Sequence, residues 1–225
     1  MNLLVIDTAA NLCAACVFDT QAGVERGRAV LDLGKGHAEH LMAVIADALE
    51  AAGIAYGDLG GIAVSVGPGS FTGIRVGVST ARGLALALGI PATGVTTLDA
   101  LACVARERFP GRAVLAALDA RNGEFYVARY DAEGVLVDGP RIADFPEARA
   151  FLGADTVLAG SAAETLMAAG GQSFDVASTA ATADIGVYAR LAVRQGFGGG
   201  KPSPLYLRDS GAKPQASFVL PRKAE

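Results

Sequence analysis

The chain has 225 residues, of which 52% are hydrophobic and 19% are charged. It can therefore bury the core of one or two domains, and it lacks the composition of a disordered protein. A formal net charge of −4 argues against a broad basic surface that binds nucleic acid by neutralising phosphates. Three cysteines are too few for a disulfide scaffold. We find no signal peptide and no apolar run long enough to cross a membrane, so we expect a cytoplasmic protein.

The first 109 residues predict a three-stranded meander followed by alternating helices and strands. Short apolar runs separated by turn residues indicate the strands. From His37 onward, apolar residues recur every three or four positions, which indicates a helix that Gly53 ends. The predicted strands are 2–7, 12–18, 24–31, 62–66 and 92–95, and the predicted helices are 37–52, 71–88 and 97–108.

The second half repeats this organisation, without a repeat at the level of single residues. Its predicted strands are 113–118, 124–129, 135–137 and 157–159, and its predicted helices are 144–152, 162–169 and 185–195. Two similar halves indicate a duplicated α/β fold. We divide the chain into an N-terminal lobe at 1–109, a C-terminal lobe at 110–198 and a tail at 199–225. The tail is rich in proline and carries five basic and two acidic side chains; we expect a flexible, solubilising end, with contact to RNA as the alternative.

Cysteine and histidine pairs suggest metal binding by their spacing alone. Cys13 and Cys16 are three residues apart on a predicted strand, where such side chains face opposite sides. We therefore interpret them as core cysteines. His37 and His40 are the only histidines and lack an evident third ligand, which a catalytic metal usually has. We predict no metal site.

A glycine-rich stretch follows the predicted strand at 62–66 and opens the helix at 71–88. Gly69, Gly73 and Gly77 lie four residues apart and so share one face of that helix. Each glycine costs about 1 kcal/mol relative to alanine, a cost that a helix accepts when another backbone comes very close. The sequence leaves open whether that backbone belongs to the same chain or to a partner.

Two aspartates end the first strands of the two halves. Asp7 and Asp119 can be a pair of carboxylates that face a cleft between the lobes, or they can be turn formers. In actin-like kinases an aspartate at the first position faces the metal and phosphate, usually within Asp-x-Gly-x-Ser/Thr. The run from Asp7 to Asn11 lacks that glycine.

Six motifs along residues 3–208 together resemble the bacterial TsaB family, also called YeaZ. The glycine-rich motif is specific, and the other five occur in the matching order. The motifs are Ile6-Asp7-Thr8, Gly36-His37-Ala38-Glu39-His40-Leu41, Gly67-Pro68-Gly69-Ser70-Phe71-Thr72-Gly73-Ile74-Arg75-Val76-Gly77, Thr96-Thr97-Leu98-Asp99-Ala100-Leu101, Asp119-Ala120-Arg121-Asn122-Gly123-Glu124 and Pro204-Leu205-Tyr206-Leu207-Arg208.

The resemblance implies a two-lobed, actin-like α/β fold of the ASKHA, ribonuclease H-like superfamily. It also implies a role in tRNA threonylcarbamoyladenosine modification beside the anticodon. In that family the transfer is performed by the paralogue TsaD, TsaB is its non-catalytic partner, the ATPase TsaE joins the pair, and tRNA is engaged indirectly. We therefore expect no catalytic residue, no metal and no cofactor, with a nucleotide at the complex interface left open. We also expect a homodimer when TsaD is absent, and no membrane partner.

The family uses the helices of its first lobe to bind TsaD, which places the expected interface on residues 37–52 and 69–88. The expected contact residues are Leu41, Val44, Ile45, Gly69, Gly73, Ile74, Gly77, Val78 and Arg82, of which some must belong to the core. The resemblance further implies that Asp7, Thr8 and Asp119 form a vestigial nucleotide or phosphate loop.

Two other functions remain as alternatives. An actin-fold kinase would need an intact Asp-x-Gly-x-Ser/Thr motif and a pair of glycines for adenosine, whereas the run from Leu158 to Ser161 has one glycine. A metallopeptidase would need a metal site. The His-x-x-x-His motif of the paralogue is absent, because His37 and His40 are three residues apart.

Overall fold

A computed structural model describes residues 1–168, 173–198 and 200–208. Within these residues the chain forms ten strands and six α-helices. The strands are β1 Asn2–Asp7, β2 Leu12–Asp19, β3 Val24–Asp32, β4 Leu59–Ser65, β5 Ala92–Val95, β6 Ala113–Asp119, β7 Glu124–Tyr130, β8 Leu136–Asp144, β9 Thr156–Ala159 and β10 Asp175–Ser178. The helices are α1 His37–Ala52, α2 Phe71–Leu88, α3 Thr97–Arg108, α4 Phe145–Ala150, α5 Ala163–Ala168 and α6 Ile185–Gln195.

The two sheets have the same topology, which confirms the predicted duplication. The first sheet has the order β3-β2-β1-β4-β5 and the second has the order β10-β9-β6-β7-β8. In each half three antiparallel strands form a meander, and two further strands join parallel to its first strand. The antiparallel strands are joined by tight turns, and the parallel strands need helical crossovers.

The first sheet is covered by helices on both faces. Leu4 and Ile6 of β1 pack with α1 and α2 on one face, and Leu3 and Val5 pack with α3 and α6 on the other. Consecutive side chains of a strand point to opposite faces, so a strand covered on both sides is apolar throughout. The continuous apolar run of β1 therefore follows from its central position.

Two helices, α3 and α6, pack with residues of both halves of the chain. Helix α6 belongs to the second half but packs on the first sheet, with Tyr188 fully buried there. Arg28 of β3 holds its start through an ion pair of 2.8 Å with Asp184, the N-cap of α6. Helix α3 lies between the sheets, because Leu98 and Leu101 pack with the second one.

Other differences concern the second half and the tail. Strand β8 is longer than predicted, and β10 was missed because it is a four-residue edge strand with an exposed first residue. The predicted helix at 162–169 is observed as Ala163–Ala168, and its predicted last residue lies outside the described residues. Of the tail at 199–225, the structure describes 200–208. No described helix has the length and apolar character that a membrane crossing requires.

Candidate functional site

A cleft of about 1090 Å³ lies between the two lobes. The turn after β1, the loop that leads into α2, the turn after β6 and the segment at 205–208 line it. Three arginines and one aspartate, Asp119, are the charged residues among the lining side chains of the described chain. The cleft is therefore locally positive although the whole chain is acidic.

Gly69, just before α2, and Gly73, in its first turn, face the chain's own backbone. A Cβ atom at Gly73 would collide with the carbonyl oxygen of Thr8, and one at Gly69 with the carbonyl oxygen of Ala9. The Thr8 hydroxyl donates a hydrogen bond of 2.7 Å to the Gly73 carbonyl. The close approach that the glycine spacing predicts is thus confirmed, and the backbone that approaches is the turn after β1.

The same turn occupies the start of α2. The Ser70 amide donates a hydrogen bond of 2.7 Å to the Ala9 carbonyl, and the Ser70 hydroxyl accepts one of 3.2 Å from the Gly73 amide. Free amides at a helix start are the groups that bind phosphate. Here the turn and the capping serine use two of them.

Asp7 is buried and turned away from the cleft. It is 2% exposed, and its carboxylate accepts hydrogen bonds from the Ala9 amide, at 2.9 Å, and the Thr182 hydroxyl, at 2.6 Å. The Thr182 hydroxyl also lies 2.7 Å from the Tyr188 hydroxyl. Burial raises the pKa of Asp7, and the hydrogen bonds of Ser65, Thr182 and Ala9 lower it by a smaller amount. This network joins β1 to α6.

Of the two alternatives for Asp7 and Asp119, the structure favours turn formers, because each carboxylate accepts a hydrogen bond from the amide two residues further on. Asp119 is exposed and lines the cleft, where its carboxylate accepts a 2.7 Å hydrogen bond from the Arg121 amide. Thr8 is fully buried under α2. Of the three residues predicted for a vestigial phosphate loop, only Asp119 lines the cleft. The Asp7 carboxylate and the Thr8 hydroxyl are hydrogen-bonded inside the protein, to Thr182 and Gly73.

The structure shows no candidate metal centre among the residues that it describes. His37 is buried with Nε2 3.2 Å from the Leu12 carbonyl oxygen, whereas His40 is exposed. Cys13 and Cys16 are both buried and belong to the cores on opposite faces of the first sheet. The prediction from strand alternation is confirmed, since the two thiols cannot ligate one ion.

Burial divides the nine residues that were expected to contact a partner. Seven of them are buried within this chain, and only Gly69 and Arg82 are exposed. Some of the nine were expected to belong to the core, and these seven pack on the first sheet or on the turn after β1. The buried residues are Leu41, Val44, Ile45, Gly73, Ile74, Gly77 and Val78.

The outer face of α1 and α2 carries a different stripe of small residues. Ser79, Gly83 and Ala87 of α2 lie four residues apart, and all are exposed. A Cβ atom at Gly83 would meet nothing within 4 Å. Leu86 of α2 is 82% exposed, and Met42 of α1 is 49% exposed. The same spacing rule that singled out Gly73 could have found this stripe, but the sequence cannot tell which face is outside.

Charge is divided between the two helices of this outer face. The exposed charged residues of α1 are acidic, namely Glu39, Asp47 and Glu50, and those of α2 are Arg75 and Arg82. Arg75 also lines the cleft, where it bonds to the Tyr206 hydroxyl, so Arg82 is the exposed arginine of α2 that is free to face a partner of α1 and α2.

Comparisons with known proteins agree with this fold. The family model "TsaD: tRNA N6-adenosine threonylcarbamoyltransferase" matches residues 32–185. The chain is 36% identical over 133 residues to the tRNA threonylcarbamoyladenosine biosynthesis protein TsaB of Escherichia coli, covering 59% of this chain and 56% of that protein. It is 35% identical over 144 residues to an uncharacterized Mycobacterium tuberculosis protein, covering 63% of this chain and 64% of that protein.

These alignments span less than two thirds of the relatives' length. Solved structures match more completely. A Pseudomonas aeruginosa protein with similarity to the peptidase YEAZ has a TM-score of 0.75 and 27% identity, covering 92% of this chain and 99% of that one. The structure of YeaZ from Pseudomonas aeruginosa has a TM-score of 0.73, 26% identity and the same coverage. The chain belongs to the TsaB/YeaZ family, within the wider family that the TsaD model describes.

Proposed function

We propose that this chain is a cytoplasmic, non-catalytic subunit for the synthesis of tRNA threonylcarbamoyladenosine. It binds and activates the TsaD paralogue through the outer face of α1 and α2. TsaE joins the pair, tRNA is engaged through the complex, and two copies of the chain pair through the same face when TsaD is absent. Any nucleotide lies at the complex interface.

The outer face of α1 and α2 carries this proposal. Leu86 and Met42 are apolar side chains that are 82% and 49% exposed, and covering them by a partner would remove apolar surface from water. Small residues at positions 79, 83 and 87 allow a second helix to approach closely. A paralogue with the same fold presents its own pair of helices, so this face suits both a heterodimer and a homodimer.

Local geometry supports a non-catalytic role. The carboxylate of Asp7, at the position where actin-like kinases hold metal and phosphate, is buried and bonded to Thr182. The amide of Ser70 at the start of α2 is already used by Ala9. Neither group is available to a nucleotide in this arrangement.

A substitution on the outer face tests the partner role. Leu86→Asp places a charge at the centre of the face, and we expect it to abolish co-elution with TsaD of the same organism in size-exclusion chromatography. The matched control is Val137→Asp, which changes a side chain that is 47% exposed in the second lobe and should leave binding unchanged. Binding of the Leu86→Asp variant with unchanged affinity would refute the assignment of this face.

Reconstitution tests the activity. TsaC, TsaD and TsaE are mixed with tRNA, threonine, bicarbonate and ATP, and threonylcarbamoyladenosine is quantified by mass spectrometry. We expect the product only when this chain is added, and a sharply reduced yield with the Leu86→Asp variant. Equal yield without the chain would refute the proposed function, and ATP turnover by the purified chain would instead favour the kinase alternative.

A further inference from the structure

The segment from Pro202 to Arg208 crosses from one lobe to the other at the cleft. Pro202 is buried near β5, and the Leu205 amide donates a 2.8 Å hydrogen bond to the carbonyl of Val66, directly after β4. Residues 205–208 then line the cleft together with loops of both lobes. The segment forms no strand or helix, so these specific contacts hold it in place.

Two side chains of α2 hold the middle of the segment. Arg75 donates a hydrogen bond of 2.7 Å from Nε to the Tyr206 hydroxyl. Its guanidinium carbon lies 3.6 Å from the centre of the Phe71 ring and 5.4 Å from that of the Tyr206 ring. The two rings are 5.9 Å apart. Stacked aromatic and guanidinium groups attract one another in addition to the area that they bury, so Tyr206 is anchored to the first lobe.

Arg208 anchors the end of the segment to the second lobe. Its guanidinium donates hydrogen bonds to the Glu124 carboxylate and, at 3.4 Å, to the Ala120 carbonyl. Both acceptors belong to the hairpin between β6 and β7. Tyr206 and Arg208 are two residues apart, so a short length of chain joins the start of α2 to that hairpin.

We propose that residues 202–208 are an intramolecular latch that holds the two lobes closed over the cleft. Both contacts are needed at once. The segment links the lobes only while Tyr206 is bound to the first lobe and Arg208 to the second. Loss of either contact releases the cleft, including the turn at 9–11 and the turn at 118–121. The latch is a property of the single chain, and its test is independent of whether the chain binds TsaD.

Hydrogen exchange of the full-length chain tests the latch. The Leu205 amide bonds to Val66 of the first lobe, whereas Arg208 binds the second lobe. In Arg208→Ala we expect this amide to exchange up to about fivefold faster, because an exposed ion pair contributes up to about 1 kcal/mol. In Tyr206→Ala, which also loses the stacking, we expect about tenfold or more. Both variants should accelerate exchange in the turns at 9–11 and 118–121.

A matched control separates release of the latch from general loosening. Arg112→Ala removes exposed ion pairs to Asp155 and Asp175 on the second lobe, away from the cleft, and should leave exchange at Leu205 and in both turns unchanged. Faster exchange confined to residues 207 and 208 in Arg208→Ala would overturn the proposal. Exchange at Leu205 that rises equally in Arg112→Ala would also overturn it. A chain that fails to bind TsaD but shows the expected exchange would refute the partner role and leave the latch standing.

Discussion

Two glycines of the same helix should respond to alanine in opposite directions. At Gly73 a Cβ atom would approach the Thr8 carbonyl oxygen more closely than the 3.0 Å that real Cβ atoms respect. Since that oxygen is backbone, the turn after β1 must move away and strain the Thr8–Gly73 hydrogen bond. At Gly83, ten residues further along α2, a Cβ atom meets nothing within 4 Å.

The magnitudes follow from the competing contributions to the free energy of unfolding. Overpacking a tight site costs about 1–3 kcal/mol, and a lost hydrogen bond adds about 1 kcal/mol. At either position, alanine stabilises the helix by about 1 kcal/mol relative to glycine through its higher helix propensity. We therefore expect Gly73→Ala to lower the free energy of unfolding by about 1–3 kcal/mol and Gly83→Ala to raise it by about 0.5–1 kcal/mol.

Urea unfolding followed by circular dichroism measures both changes. For a chain of this size, 1 kcal/mol shifts the thermal midpoint by about 2–4 °C, so a thermal scan should separate the two variants clearly. Equal or higher stability of Gly73→Ala would refute the inward orientation of this glycine. Loss of stability in Gly83→Ala would refute the exposure of the outer face.

Three further predictions concern buried groups and the outer face. Because burial raises the native pKa of Asp7, its contribution to stability is present below about pH 3.9 and lost as the pH rises through the native pKa. The free energy of unfolding of Asp7→Asn should therefore rise relative to that of the wild type as the pH is raised from 4 to 8. Urea unfolding measures it, with the surface variant Asp119→Asn as control. A stability difference between Asp7→Asn and the wild type that does not change with pH would contradict this. Cys13 and Cys16 are fully buried, and burial raises the pKa of the Cys13 thiol to about 11, so a thiol reagent at pH 7.5 should label neither until denaturant is added. Leu86→Asp should keep the free energy of unfolding within about 0.5 kcal/mol of the wild type, and a larger loss would mean that Leu86 supports the fold.

Local elements were predictable from the sequence because they depend on neighbouring residues. The spacing of Leu41, Val44 and Ile45 predicted α1, and the structure buries all three on one face. Alternation on β2 predicted opposite faces for Cys13 and Cys16. The glycines at 69, 73 and 77 predicted a close backbone approach, since only such contact compensates for the helix propensity that they lose.

Long-range placement required the tertiary structure. An apolar helix face shows that a helix is buried, but it does not show against what, so the sequence could not reveal that α6 of the second half packs on the first sheet. The same ambiguity left open whether the glycine face of α2 meets a partner or the chain itself, and it hid the exposed stripe at Ser79, Gly83 and Ala87. Strand β10 is too short to show an alternating apolar pattern, and it is a strand because it pairs with β9.

The candidate site shows the same division. Sequence by itself determined the duplicated α/β order, the family motifs and the strands that end near Asp7 and Asp119. Only the tertiary structure decided that the Asp7 carboxylate is buried against Thr182, 175 residues away, and that Tyr206 and Arg208 join the lobes. The physical reason is that the spacing of apolar residues shows which face of a helix or strand is buried. What that face packs against is decided by contacts between segments far apart in the chain.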